Sequence, residues 1–209
     1  MIYNDNLKMI NSEYLNNLNK SQKEAVLHLN GPLLIVAGAG SGKTKVLTSR
    51  IAHIIKEKKA YPNQILSVTF TNKAAKEMHN RVSSILKTEA VGLSWLGTFH
   101  SICAKLLRKH AAAAGLNSNF SIIDQDDQVR LIKNICKAEN IDTKQLAPKY
   151  ILSIIDRWKN KGFYPERVIL NKKDIYEKTI FPLYKIYQQK LLDLNACDFG
   201  DLILHCVNI

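Results

Sequence analysis

Ala37-Gly38-Ala39-Gly40-Ser41-Gly42-Lys43-Thr44 has the residue types and spacing to wrap a chain of phosphates. Its glycines let the backbone fold into a concave nest whose N–H groups point inward. A helix that starts at the end of the loop adds partial positive charge beneath an anion. Lys43 is then placed to reach the terminal phosphates, and the Thr44 hydroxyl to ligate Mg²⁺. Ala37 stands where the stricter pattern has glycine, but that position ends the preceding strand rather than wrapping phosphate. The bland alternative, a glycine-rich turn that binds nothing, fits poorly with a Gly-Lys-Thr set between an apolar run and a helical pattern. The loop alone does not say which nucleotide chemistry it serves, because many unrelated activities share it.

The elements that must position this loop are legible around it. Leu33-Leu34-Ile35-Val36-Ala37 reads as a strand buried on both faces of a parallel sheet. Val46, Leu47, Ile51, Ile54 and Ile55 recur at helical spacing after the loop. Gln64–Phe70 is a second strand candidate, and Thr71 caps a helix carrying Ala74, Ala75, Met78, Val82, Ile85 and Leu86. Ser94–Phe99 is a third strand, leading into a helix over about 101–114. This alternation predicts right-handed crossovers and a parallel sheet with helices on both faces. Beyond Gly115 the pattern turns helical, over about 125–139, 148–160, 172–192 and 199–207, with Asp124 as an N-cap and Pro148, Pro165 and Pro182 as interruptions. The expected fold class is α/β with a mostly helical addition.

Composition narrows the partners. The 209 residues carry a net charge of +12. Residues 1–110 hold 16 Lys and Arg against 6 Asp and Glu, whereas the remainder holds 14 against 12. A basic front half suits an anionic partner such as nucleic acid or nucleotide, and equally suits a lysine-rich solvated surface. No apolar stretch approaches the roughly 20 residues that span a bilayer, and Met1–Asn6 lacks the pattern of a leader. The expected compartment is the cytoplasm. Four cysteines without a C-x-x-C pair predict neither a metal cluster nor a disulfide.

Four further segments resemble one family. Leu18–Val26, with Gln22, looks like the Q-motif of UvrD/Rep/PcrA helicases. Thr69-Phe70-Thr71-Asn72-Lys73-Ala74-Ala75 and Gly97-Thr98-Phe99-His100-Ser101 look like its next two motifs, and Asp198-Phe199-Gly200-Asp201-Leu202 like a later one. The likeness implies a RecA-like P-loop domain in residues 1–114, a helical insertion subdomain in 115–195, and the start of a return to the motor domain in 196–209. It implies ATP and Mg²⁺ as cofactors, held by Gln22, Ala37, Gly38, Ala39, Gly40, Ser41, Gly42, Lys43, Thr44 and Lys45, with Lys43 and Thr44 catalytic. Single-stranded DNA is the implied partner. Phe70 could stack on a base or sit in a core, and His100 could bind DNA or merely start a helix. The resemblance assigns Phe70, Thr71, Asn72, Thr98 and His100 to DNA.

Departures matter as well. Lys45 replaces the usual arginine and lacks its planar stacking surface, and Gly200 stands where many members carry an acid. Trp158, with Arg157, Lys159 and Lys161, reads either as a duplex-contacting patch or as a solvated basic face around a half-buried ring. The resemblance further implies an acidic pair at a strand end, transition-state arginines and a second motor domain, none of which is found in these residues. Asp156 is followed by Arg157 rather than a second acid and does not substitute. The expectation is therefore an ATP- and DNA-binding front portion of a 3′–5′ helicase of repair or replication, inactive by itself, with a sheet edge left open and a second polypeptide to complete the motor. The alternatives are the motor part of a RecB/AddA-like helicase–nuclease and a non-catalytic DNA-binding remnant.

Overall fold

The computed structural model describes residues 13–87, 92–170 and 175–209. The leader reading of Met1–Asn6 and the first three residues of the expected 172–192 helix lie outside them. The contacts divide the chain into two units, residues 1–98 and residues 99–209.

The first unit begins with a single turn, α1 (Glu13–Asn16), and α2 (Lys20–Leu27). A capping box starts α2: the Asn19 side chain accepts from the Gln22 amide while the Gln22 side chain accepts from the Asn19 amide. After the glycine loop comes α3 (Lys43–Lys56), then β1 (Ser67–Thr69), α4 (Asn72–Leu86) and β2 (Leu96–Thr98). Thr71 caps α4 by accepting from the Ala74 amide, as its sequence position predicts. Ile51, Ala52 and Ile55 of α3 pack on Met78, Val82 and Leu86 of α4. Strands β1 and β2 pair in parallel, Thr69 opposite Thr98, with α4 as the crossover between them.

The expected first strand is not one. Residues 32–38 join no ladder; Leu34 is 86% exposed and Val36 88%. A parallel strand needs neighbours on both edges and helices on both faces, and no described residue supplies an edge to this run. Among the described residues the sheet of this unit is accordingly two strands wide.

The second unit holds α5 (Phe99–Lys109), β3 (Ser121–Ile122), α6 (Gln125–Ala138), α7 (Pro148–Asn160), α8 (Ile175–Asp193), β4 (Ala196–Cys197) and α9 (Phe199–Asn208). Asp124 caps α6 through the Asp127 amide, again as read from the sequence. Its largest core gathers Ile132, Ile151, Ile155, Trp158, Ile180, Tyr184, Tyr187 and Leu191 from α6, α7 and α8. A smaller core joins Leu107 of α5 to Phe120, Cys197 and Leu202. The short β3 and β4 pair in parallel and bring the start of α9 back to α5. Two expectations fail here. Pro182 does not interrupt α8, because Ile180, Leu183, Tyr184 and Tyr187 around it are all buried and packing outweighs the one backbone bond a proline forfeits. Trp158 is not half-buried: it is 3% exposed and stacks on Tyr184, with ring centroids 5.7 Å apart. The described residues form a mostly helical α/β protein with two small parallel strand pairs.

Candidate functional site

The glycine loop has the shape of an anion cradle. Gly40 and Gly42 take left-handed backbone angles, φ 74° and 83°, that other residues adopt only with strain. Gly42 is the N-cap of α3 and offers no side-chain cap, so the amides of the first turn are left to another acceptor. A Cβ at Gly42 would lie 2.9 Å from Gln22 Nε2, the end of a flexible side chain that would have to shift, while the backbone angle itself favours glycine. Ser41 turns back on the loop, its hydroxyl donating to Gly38 O at 2.7 Å. The exposed Lys43 ammonium lies inside the loop and donates to Ala37 O at 2.8 Å and Gly38 O at 2.6 Å. Neutral carbonyls hold it without cancelling its charge. The donor set is thus backbone N–H groups, an ammonium and the Thr44 hydroxyl at the second helical position, which fits a phosphate chain with a divalent cation beside it.

Helix α2 is strapped to this loop. Gln22 Nε2 donates to Ser41 O at 3.0 Å, Lys45 Nζ donates to Asn17 O, and Arg50 donates to Ala25 O at 2.7 Å. The same Gln22 that closes the capping box therefore fixes the back of the cradle. Lys45 keeps its charge beside the loop but is turned onto a backbone carbonyl.

The residues assigned to DNA are placed unequally. Phe70, directly after β1, is 92% exposed, so its reading as a core residue is overturned. Thr71 and Asn72 are exposed at the start of α4, whose first turn holds no acid. Thr98 is only 9% exposed, in β2 opposite Thr69. His100 belongs to the second unit, where it is exposed at the start of α5 and meets Phe199 edge-on at 5.6 Å.

The sequence reading missed a buried ionic cluster in the second unit. Lys159, expected in a solvated basic face, is wholly buried; its ammonium bonds Asp198 at 2.6 Å and Asp201 at 2.7 Å. Tyr187 donates to Asp198 at 2.9 Å and Gln188 to Asp201 at 3.0 Å. Burial would push the Lys159 ammonium down, but the Asp201 and Asp198 carboxylates outweigh it and hold it above its ordinary value. Burial alone would raise Asp198, and the Lys159 charge reverses this, leaving it lowered. Asp201 stays raised, by burial first and by the Asp198 charge that a single lysine cannot fully offset. The signal was present in the sequence: Ile151, Leu152, Ile155, Trp158 and Lys159 share one helical face, and a lysine on an apolar face needs an acid. Gly200 belongs to the same cluster, since a Cβ there would stand 3.1 Å from Lys159 Cδ.

With cradle and strap in place, the comparisons give the family. The chain matches the UvrD/REP helicase N-terminal domain over residues 18–209, and it belongs to that family. It is 50% identical over 200 residues to a probable DNA helicase II homolog of Rickettsia conorii, covering 94% of this chain and 30% of that protein. It is also 46% identical over 193 residues to the ATP-dependent DNA helicase PcrA of Staphylococcus epidermidis, covering 92% of this chain and 26% of that protein. The PcrA of Bacillus subtilis is 44% identical over 203 residues, covering 97% of this chain and 27% of that protein. The chain thus spans less than a third of the length of these relatives. Among the described residues no helix is long and apolar enough to cross a membrane.

Proposed function

We propose that this chain is the ATP- and single-stranded-DNA-binding N-terminal portion of a UvrD/PcrA-type 3′–5′ DNA helicase acting in repair or replication in the cytoplasm. The observation that carries the reading is the loop at 37–44, an uncapped helix start with an uncompensated lysine, in a chain of this family. In this reading Gly38 to Thr44 wrap the phosphates, Lys43 faces the terminal one, and Thr44 is the protein ligand for Mg²⁺. Bound Mg²⁺ would supply charge neutralisation at the phosphate oxygens. Gln22 and Lys45 mark the side of the cradle where the base belongs. Phe70 stands exposed for a base to stack on, with Thr71, Asn72, Thr98 and His100 supplying polar contacts to the strand.

The domain reading follows from the same proposal. Residues 1–114 and 196–209 would form one RecA-like motor domain, with 115–195 as a helical insertion; the packing of α5 on α9 supports joining its two parts. Lys43 and Thr44 hold and polarise the phosphates, but hydrolysis needs a carboxylate at a strand end beside them. Asp156, the in-chain mimic, lies on α7 rather than at a strand end. By themselves these 209 residues would therefore bind ATP and DNA without turning ATP over or unwinding.

The test is nucleotide binding and DNA-stimulated ATP hydrolysis by the 209-residue protein beside Lys43→Ala. Saturable ATP binding lost in the variant, with no hydrolysis in either, is the expected result. Hydrolysis abolished by Lys43→Ala would place a catalytic acid within these residues, and ATP binding indifferent to Lys43 would overturn the cradle.

A further inference from the structure

All four cysteines stand in the second unit, and the fold sorts them into two kinds. Cys136 is sealed in the large core and Cys197 in the small one, both fully buried. Cys103 of α5 and Cys206 of α9 lie at the margin of the small core, where each is partly exposed. These two are 103 positions apart in the sequence, so spacing could not pair them; the packing of α5 on α9 does.

The two thiols meet. The Cys206 thiol donates to the Cys103 carbonyl oxygen at 3.3 Å, and it is also in hydrogen-bond contact with the Cys103 thiol. Burial first, then the charge and hydrogen bond of Cys103, push the Cys206 thiol up to about 12, with the Leu107 amide opposing. A disulfide needs its sulfurs about 2 Å apart, so thiols already in contact close the gap by turning about their side-chain bonds. Leu107 and Leu202 in the shared core, and the His100 and Phe199 rings at the helix starts, hold α5 against α9. The backbone frame around the pair is thus set before any bond forms. Buried single thiols are inert, whereas a partly exposed thiol beside a second one has a partner to resolve its oxidation.

We propose that Cys103 and Cys206 are an oxidative modification site: a hydroperoxide converts them to a disulfide that staples α5 to α9, and a thiol reductant reopens it. Cys206 keeps its proton, so Cys103 is the sulfur that attacks. Its thiolate takes the terminal oxygen of the peroxide, breaking the O–O bond, and becomes a sulfenic acid. The other peroxide oxygen leaves as water or an alcohol with the proton that Cys103 gave up. The Cys206 sulfur then bonds the Cys103 sulfur, and its proton departs with the sulfenic hydroxyl as water. Together the two sulfurs lose two electrons and the peroxide gains them. In the cytoplasm such bonds are in general transient and redox-sensing rather than structural.

Residues 103 to 206 enclose α6, α7 and α8. The bond therefore closes a covalent loop around the whole helical bundle and ties its two ends together. Long loops are where a disulfide restricts the unfolded chain most. Neither nucleotide nor DNA takes part in this step.

The experiment treats the 209-residue protein with hydrogen peroxide, blocks the remaining thiols with iodoacetamide in denaturant, and maps the unreduced digest by mass spectrometry. The expected product is a Cys103–Cys206 crosslink within one chain, two hydrogens lighter than the reduced pair and removed by dithiothreitol. Cys136 and Cys197 should be recovered alkylated. In Cys206→Ser the sulfenic acid should persist on Cys103, where dimedone traps it. By circular dichroism, the oxidised wild type should unfold about 5–10 °C higher than the reduced protein, a shift absent from Cys103→Ser and Cys206→Ser treated alike. Separate sulfinic or sulfonic acids on the two cysteines, a Cys197–Cys206 crosslink, or linkage only between two chains overturns the pair as the site. A crosslinked protein with an unchanged midpoint overturns the staple.

Discussion

Two lysines, each at one end of a helix, divide the chemistry of this molecule between them. Lys43 at the start of α3 is exposed and holds two neutral carbonyls, whereas Lys159 near the end of α7 is wholly buried and holds two carboxylates. The partner decides the role. Carbonyl dipoles orient an ammonium but leave its charge unspent, so Lys43 remains available to an anion. Carboxylates cancel the charge of Lys159 and leave nothing for a ligand, so that lysine joins α7 to the start of α9. A cation held by dipoles is a binding group in waiting; a cation held by anions is part of the fold.

The largest test of this difference is stability. Lys159→Ala leaves two buried carboxylates without a counter-charge and should destabilise the protein by about 3–5 kcal/mol. Lys43→Ala removes an exposed side chain and should stay within about 0.5 kcal/mol of wild type. Denaturant midpoints measure both, and equal losses would erase the distinction. Lys159→Met combined with Asp198→Asn and Asp201→Asn should recover most of the loss, because the cost lies in the unpaired charges rather than in the missing bridge.

Binding should show the reverse order. Lys43→Ala should weaken ATP binding by about 1.5–3 kcal/mol, the size of a hydrogen bond to a charged group, as read by calorimetric titration. A folded, charge-neutralised Lys159 variant should bind ATP as wild type does. An ATP affinity that follows Lys159 and ignores Lys43 would invert the assignment.

The cradle's backbone can be broken separately from its charge. Gly42→Ala forces a side chain onto φ 83° and against Gln22 Nε2. The left-handed angle alone costs about 1–2 kcal/mol. The expected outcome is a smaller stability loss than that of Lys159→Ala with a nucleotide-binding loss comparable to that of Lys43→Ala. Gln22→Ala in the same background relieves the contact but not the angle, so partial recovery would separate the two causes.

The same contrast explains what was legible beforehand. The cradle is a local object: its glycines, lysine and helix start follow one another, so spacing alone was enough to place the helix start at the end of the loop and the Thr71 and Asp124 caps. The helices of the second unit were equally plain, because apolar residues at helical spacing need no distant partner to declare themselves. The Lys159 cluster joins residues 39 positions apart, and a single lysine among basic neighbours reads as solvated until the acids that face it are known. The 33–37 run failed for the complementary reason. Its residues favour a strand, but a strand exists only where edges meet it, and no described residue supplies them. Phe70 and Trp158 exchanged expected environments likewise, since exposure of an aromatic ring depends on what packs above it.

The smallest expected effect lies in pH. His205 of α9 is 4% exposed, its ring Nδ1 facing the Tyr164 hydroxyl. Burial lowers its pKa from the ordinary 6.5, with the Asp201 charge opposing and the Lys159 charge assisting. A lowered folded value means that the unfolded chain binds the proton more readily, so stability present above the unfolded pKa is lost as pH falls through it. His53 in the first unit is lowered in the same way, by burial with Glu57 opposing, beside the Tyr14 hydroxyl. Asp156 and Asp201 are raised and act in the opposite sense. The histidines contribute their loss of stability as pH falls below about 6.5. His205→Gln should flatten part of that acid limb, leaving the part due to His53, while lowering stability above pH 7 through lost packing. Unfolding monitored at a series of pH values measures both, and an unchanged slope in His205→Gln would show that the buried cluster tolerates a second positive charge, against the compensation argued for Lys159.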